Sequence, residues 1–364
     1  MSRERRRGRG ATVNLVNRFE PHDRTSFDDG WGSGADLSGF ATEVREERAR
    51  RILARNTSPD IGFDRSINPY RGCEHGCVYC FARPTHAFLG LSPGLDFETR
   101  LTAKVNAADA LERELSAPGY EPRTIALGTA TDPYQPIETR YRLTRRVLEV
   151  LERANHPVAI VTKSSRVLAD ADILTRMADK GLVKVFVSVT TLDRDLSRRM
   201  EPRAATPEKR LETIAKLHEA GIRTGVVAAP MIPALNDHEL ETILRLARDA
   251  GAAEADYVLL RLPHELKPIF RAWLMEHYPD RLDKAFNLLK GTRGGREYDA
   301  DWATRMKGSG PYAYLLQRRF EVARKRLGLD GKRMQLRTDL FTPPARPRSA
   351  ARTTLGEDAQ LALL

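Results

Sequence analysis

The sequence predicts an α/β protein with a parallel sheet, and three observations carry that prediction. Short apolar runs alternate with amphipathic helical stretches between residue 61 and about residue 265. The runs are apolar throughout rather than alternating, the pattern of strands covered on both faces. Outside these bounds the rhythm stops: residues 1–60 are polar and rich in Arg, Gly and Asp, and the chain beyond Pro263 turns helical.

Taken in order, a strand around Ser66–Tyr70 opens the series. "TIAL" (Thr124–Leu127), "VAIV" (Val158–Val161), "VKVFVSV" (Val183–Val189), "IRTGVVA" (Ile222–Ala228) and "DYVLL" (Asp256–Leu260) follow, making six strands spaced by strand–helix units. Between them Leu143, Val147, Val150, Leu151 and Ala154 fall on one helical face. Thr206 and Pro207 form an N-cap and first-turn pair, with Gly221 as the stop. Asn236 and Glu239 have capping-box spacing before a helix that closes near Gly251. Such alternation suits either an incomplete barrel or a doubly wound sheet.

After Pro263, "IFRAWLMEHYP" (Ile269–Pro279) and the run Tyr312–Leu329 read as helices, joined by a Gly-rich, aromatic connector. The expected organisation is a basic, partly disordered arm over residues 1–60, a barrel-like unit over 61–265, a helical extension over 266–341, and a disordered Pro/Arg-rich tail over 342–364.

The net charge is +11; residues 1–10 hold +4 and residues 342–364 hold +1, leaving +6 for the body. A basic balance favours a polyanionic partner such as DNA or RNA without identifying one. No apolar run reaches transmembrane length, and the Arg-rich start lacks the apolar stretch of a signal peptide. A cytoplasmic protein with no membrane partner is the expectation.

The chain has three cysteines, all within "RGCEHGCVYC" as Cys73-x3-Cys77-x2-Cys80. That number is too small for a disulfide framework and odd for pairing. Closely arrayed thiolates need positive charge, which a metal supplies. A zinc site ordinarily takes four protein ligands, and the nearest addition, His75, lies cramped inside the Cys73–Cys77 loop. Three thiolates suit a 4Fe–4S cluster with one iron left open. Gly72 and Gly76 would let backbone approach it, Tyr79 and Phe81 would exclude water, and Arg71 and Arg83 would offset its negative charge.

Cys73-x3-Cys77-x-Tyr79-Cys80 resembles the signature of the radical S-adenosylmethionine (SAM) superfamily. "CVYCF", the Thr-x-Asp turn after the second strand and Thr-Lys at the end of the third are similar to its spore photoproduct lyase-like group. The resemblance implies an incomplete (β/α)6 TIM-like barrel, with Cys73, Cys77 and Cys80 holding the cluster at the C-terminal mouth. It implies SAM as cofactor, reductively cleaved to a 5′-deoxyadenosyl radical that abstracts hydrogen, and an electron donor of flavodoxin or ferredoxin type. By the same likeness Thr131 and Lys163 fall at the SAM carboxylate and Tyr79 beside the adenine, with Arg203 a further cofactor or substrate contact. Tyr79 and Tyr134 are the catalytic candidates for quenching the product radical. One departure concerns the lyase cysteine that returns a hydrogen atom: Thr129 occupies that position, and no spare cysteine exists.

The remaining mouth residues are expected in "GTATDPYQPIE" (Gly128–Glu138), "TKSS" (Thr162–Ser165), "SVTTLD" (Ser188–Asp193) and "MEPRAATP" (Met200–Pro207). Tyr298, Trp302, Tyr312 and Tyr314 beside Arg305, Lys307, Arg318 and Arg319 either bind nucleic acid or pack a helical cap. Three functions compete: a radical SAM enzyme acting on nucleic acid, one acting on a peptide or small molecule, and a zinc-stabilised nucleic-acid-binding protein.

Overall fold

Strands form where the apolar runs lie. In the computed structural model, which describes residues 8–19, 41–331 and 334–345, ten strands occur in chain order. They are β1 (Glu43–Glu47), β2 (Leu53–Arg55), β3 (Arg65–Ile67), β4 (Tyr70–Arg71), β5 (Arg100–Lys104), β6 (Ile125–Leu127), β7 (Val158–Thr162), β8 (Val183–Ser188), β9 (Thr224–Met231) and β10 (Glu254–Leu259). The larger sheet has the order β10-β9-β8-β7-β6-β3-β2. Its six strands from β3 to β10 are mutually parallel and ordered as in the chain, as a partial barrel requires. β2 pairs antiparallel with β3, and the sheet stays open between β2 and β10. The Arg-rich residues 1–7 and the tail from residue 346, both expected to be disordered, lie outside the described residues.

The expectation of strands buried on both faces holds for β3 and β6, whose residues are all buried, but on one face only for β7 and most of β8. Val158 and Ile160 of β7 and Val183, Val185 and Val187 of β8 are fully buried against the helices. Ala159, Val161, Lys184 and Phe186, on the other face, are half-buried, because an open sheet leaves its concave side accessible. Helices Leu143–Arg153, Ala171–Asp179, Pro207–Glu219 and Leu240–Asp249 cover the convex side. Thr206 caps Pro207–Glu219 as expected, accepting from the Lys209 N–H. The capping box at Asn236 and Glu239 does not form. Asn236 instead bonds the Ile232 N–H and the Thr190 and Pro230 carbonyls, and Glu239 takes the Thr191 hydroxyl and the Leu192 N–H. Both side chains tie β9's exit loop to β8's, a contact that outcompetes local capping.

Four strands were not anticipated. β1, β5 and β4 make a small separate sheet, and β1 reads EVREE and is largely exposed, without the apolar signal used to find strands. The C-terminal extension contributes helices Leu266–His277, Leu282–Gly291 and Gly310–Arg326. The last packs Phe320 against Tyr257 of β10, ring centroids 4.7 Å apart. Residues 334–345 then run under the N-terminal ends of the strands. Met334 N–H donates to Glu254, Arg337 N–H to Gly181 O and Thr342 N–H to Ala154 O. Phe341 closes this floor against Tyr120 and His156. No helix among the described residues is long and apolar enough to cross a membrane.

Candidate active site

The cysteine loop leaves the sheet at the C-terminal end of β3. Tight turns bring the three thiols together: Gly76 N–H donates to Cys73 O, Cys80 N–H to Cys77 O and Arg83 N–H to Cys80 O. Cys73 and Cys77 are buried, Cys80 half-buried, and all three are free. Burial pushes the Cys73 thiol well up, with Asp132 and the neighbouring thiols adding to it. Burial also raises Cys77, against a counter-pull from Lys163. Such thiols become ligands only when a cation supplies the missing positive charge.

Arg83 braces the loop from behind rather than offsetting charge at its front. Fully buried, it donates to the carbonyls of Cys77, Gly76, Pro93 and Gly94 and to Glu98. Arg71 faces solvent and Glu47. Gly72 and Gly76 adopt left-handed φ of 74° and 69°. A Cβ at Gly76 would lie 2.4 Å from Glu98 Oε2, and one at Gly72 2.7 Å from Phe97 O. Their freedom therefore serves the turn and its packing on the protein side.

Part of the N-terminal arm belongs to this wall. Gly10 and Ala11 N–H donate to the buried Glu98 carboxylate at 2.9 and 2.8 Å, and Arg9 reaches Glu98 O and Thr42. A Cβ on Gly10 would stand 1.8 Å from Gly76 O, so only glycine lets the arm lie so close to the cysteine loop.

The strand ends converge on the same loop. Asp132 accepts from the Thr162 hydroxyl, Tyr134 N–H and Lys163 N–H, and His75 Nδ1 stands 3.4 Å from it. Burial would raise this carboxyl; His75 and these donors outweigh it and hold the pKa at about 2. His75 Nε2 is buried without a partner. Thr131 gives its hydroxyl proton to Gly72 O at 2.6 Å and accepts from Gln135, clamping the loop. Lys163 holds its Nζ 5.7 Å from the centre of the Tyr79 ring.

Sequence reasoning missed the charges beneath. Glu201, fully buried, accepts from Arg210 of helix Pro207–Glu219, from Thr190 and from the Tyr79 hydroxyl. Burial pushes its carboxyl up against the pull of Arg210. Glu201 stood in "MEPRAATP", but only Arg203 was singled out there. Arg203 forks between Glu74 and Gly8 O, which ties the arm to the loop. The available signal was a carboxylate nine residues before an Arg in a helix's first turn.

Other candidates fall elsewhere. Tyr134 lies in the helix-side core with its hydroxyl on Asp170. Thr129 exchanges hydrogen bonds with Asn68. In the connector and last helix, Arg305 pairs with Asp60, Lys307 with Asp256, Arg318 with Glu321 and Arg319 with Glu241. Tyr312 bonds Asp237, while Trp302 and Tyr314 are exposed. These cations are all paired, while Trp302 and Tyr314 are not packed.

The donor set fits an iron–sulfur cube better than a single ion. The three thiols, two buried and Cys80 half-buried, would each serve one iron of a cluster, and the buried, unpartnered His75 Nε2 leaves a free hydrogen-bonding atom in the same loop.

Comparison with known proteins bears on the same residues. Residues 67–247 match the family model described as the Radical SAM superfamily. An uncharacterized protein of Mycobacterium tuberculosis is 34% identical over 276 residues, spanning 72% of this chain and 81% of that protein. A mutant of spore photoproduct lyase superposes with TM-score 0.54 at 18% identity, over 78% of this chain and 79% of that one. The lyase complexed with dinucleoside spore photoproduct gives 0.51 at 16%, over 78% and 79%. At such identities the structural likeness is one of fold.

Proposed function

We propose that this chain, which belongs to the radical S-adenosylmethionine superfamily, abstracts a hydrogen atom from a nucleic-acid substrate in repair or modification. Superfamily members are enzymes that use a 4Fe–4S cluster and SAM and need a reductant. Bound together, those groups supply reductive cleavage of the sulfonium C–S bond and hydrogen-atom abstraction.

The residues of this chain have distinct tasks in that reading. Cys73, Cys77 and Cys80 would hold the cluster on three irons. Lys163 would meet the SAM carboxylate, a charge-assisted contact, while the Tyr79 ring, its hydroxyl anchored by Glu201 and Thr190, would lie against the adenine. Thr131 and Arg203 would act through the loop they clamp, Thr131 from Gly72 and Arg203 from Glu74. Tyr79 is the better placed of the two tyrosines for radical quenching, since Tyr134 faces the helices. The electron would come from a flavodoxin- or ferredoxin-type donor in the reducing cytoplasm, where free thiols persist.

The observation that carries the reading is the thiol triplet, two of its members buried, beside Lys163 at the sheet's C-terminal end. Nucleic acid is favoured by the net charge of +11 and by the fold shared with a lyase complexed with a dinucleoside. Anaerobically reconstituted protein is expected to release 5′-deoxyadenosine under reduction, faster with a mixed-sequence oligonucleotide present. Stoichiometric zinc without iron in anaerobically purified protein would overturn the enzyme reading. Release that no DNA or RNA alters would transfer the substrate to peptides or small molecules.

A further inference from the structure

Beyond β10, Arg261 lies beside the cysteine loop with Arg293 next to it, and neither makes an ion pair among the described residues, although Asp60 and Asp299 act on them from farther off. The Arg261 guanidinium sits 5.2 Å from the centre of the Phe81 ring, on the residue that follows Cys80. Its Nη1 donates to Met306 Sδ at 3.3 Å, a weak acceptor, and its Nε is buried without a partner. Arg293 is 1% exposed. It gives Nη1 to Thr304 O and Nη2 to Leu260 O, and its Nε also lacks a partner. Burial and the nearby Arg261 hold the Arg293 pKa down to about 10.

The neighbouring carboxylates are taken. Asp60 is forked by Arg305 at 2.5 and 2.7 Å. Asp299 accepts from Thr304 and pairs with Arg296 at 3.4 Å. Two adjacent guanidinium groups, one of them fully buried, are costly to keep unless an anion joins them. Phe81 is 49% exposed and Arg261 half-buried, so the ring and part of the guanidinium beside it are open to solvent next to Cys80.

We propose that Arg261, set on Phe81 and backed by Arg293, binds a phosphate of the substrate, with the free face of Phe81 stacking the adjoining base. A guanidinium fork matches phosphate oxygens, and an aromatic face takes any base. A carboxylate fits the same fork, but the ring beside it favours a nucleotide. This subsite rests on the nucleic-acid reading above and fixes where that substrate enters: over Cys80, between the cysteine loop and the end of β10.

The test uses the reconstituted holoenzyme and fluorescein-labelled dT10, with binding followed by anisotropy across a salt series. Arg261→Gln should weaken binding about tenfold and flatten the log–log salt slope by about one. Arg261→Lys, which keeps charge but loses the fork, should fall between. Unchanged affinity and slope in Arg261→Gln would overturn the subsite and leave the nucleic-acid reading standing. Wild-type protein that ignores dT10 but holds an acidic peptide through Arg261 would overturn both. Phenylglyoxal labelling of the wild type, mapped by mass spectrometry, is independent of how the variants fold. Bound dT10 should shield Arg261 and spare the exposed Arg123, and equal labelling of Arg261 with and without dT10 would refute the proposal.

Discussion

At the N-terminal ends of the strands the molecule closes with packed rings, backbone hydrogen bonds and the pairs Glu254–Arg223 and Arg65–Asp64; at the C-terminal ends it closes around buried ion pairs that hold the cysteine loop. On the floor, His156 Nδ1 lies 3.0 Å from Pro157 O and must carry the proton, so Nε2 accepts from the Tyr120 hydroxyl at 2.8 Å. Phe341 covers both rings. At the mouth, Glu201 with Arg210 and Glu98 with Arg83 are fully buried, and Asp132 is nearly so beside the buried His75. Paired buried charges add little stability over a well-packed apolar core, yet removing one partner is costly. The floor therefore holds the fold together, while the mouth accepts that expense to orient the thiols, Lys163 and Tyr79.

The largest expected effect lies wholly at the mouth. Cys80→Ala should lose the visible absorption of the reconstituted cluster and reduce 5′-deoxyadenosine to the level of a protein-free control. Next is Glu201→Ala, which strands the Arg210 guanidinium in the core. Urea unfolding should show a loss of about 3–5 kcal/mol, much of it recovered in Glu201→Leu/Arg210→Met. A single mutant as stable as wild type would erase the contrast between the two ends.

The floor should respond to pH instead. Burial lowers the His156 pKa to about 4, against about 6.5 in an unfolded chain. Between those values the unfolded chain takes up a proton that the folded chain refuses, so stability falls as pH drops from 6.5 to 4. The loss approaches about 3 kcal/mol and levels off below pH 4. Denaturant titrations at several pH values should show this slope in wild type and lose it in His156→Gln. The smallest effect is Phe341→Ala, expected to cost about 2 kcal/mol while leaving 5′-deoxyadenosine yield unchanged well below the melting temperature. A matching fall in yield would mean that floor and mouth are not separable.

Much of the barrel was legible because its signals are local. The runs Val158–Val161 and Val183–Val189 announce strands by composition, and β7 and β8 fall on them. Thr206–Pro207 announces a helix start by capping chemistry. The polar β1 and the three-residue β2 carry no such signal. They exist because β5 and β3 offer edges to pair with. Asn236 and Glu239 show the opposite failure: their local pattern was correct in kind, and contacts to Thr190, Thr191 and Leu192 took the side chains away.

By itself the sequence set three thiols at fixed short spacing, whose resemblance to the superfamily signature pointed to the cofactor chemistry, and its apolar rhythm announced parallel strands without choosing between a barrel order and a doubly wound one. Tertiary structure alone decided the partners of charge. Glu98 meets the backbone of residues 10 and 11 across almost ninety positions of chain, Arg261 finds Phe81 across the open sheet, and Asp60 reaches Arg305 from the far edge. Electrostatic contacts depend on distance in space and on exclusion of water, and neither quantity is written in the spacing of residues along a chain.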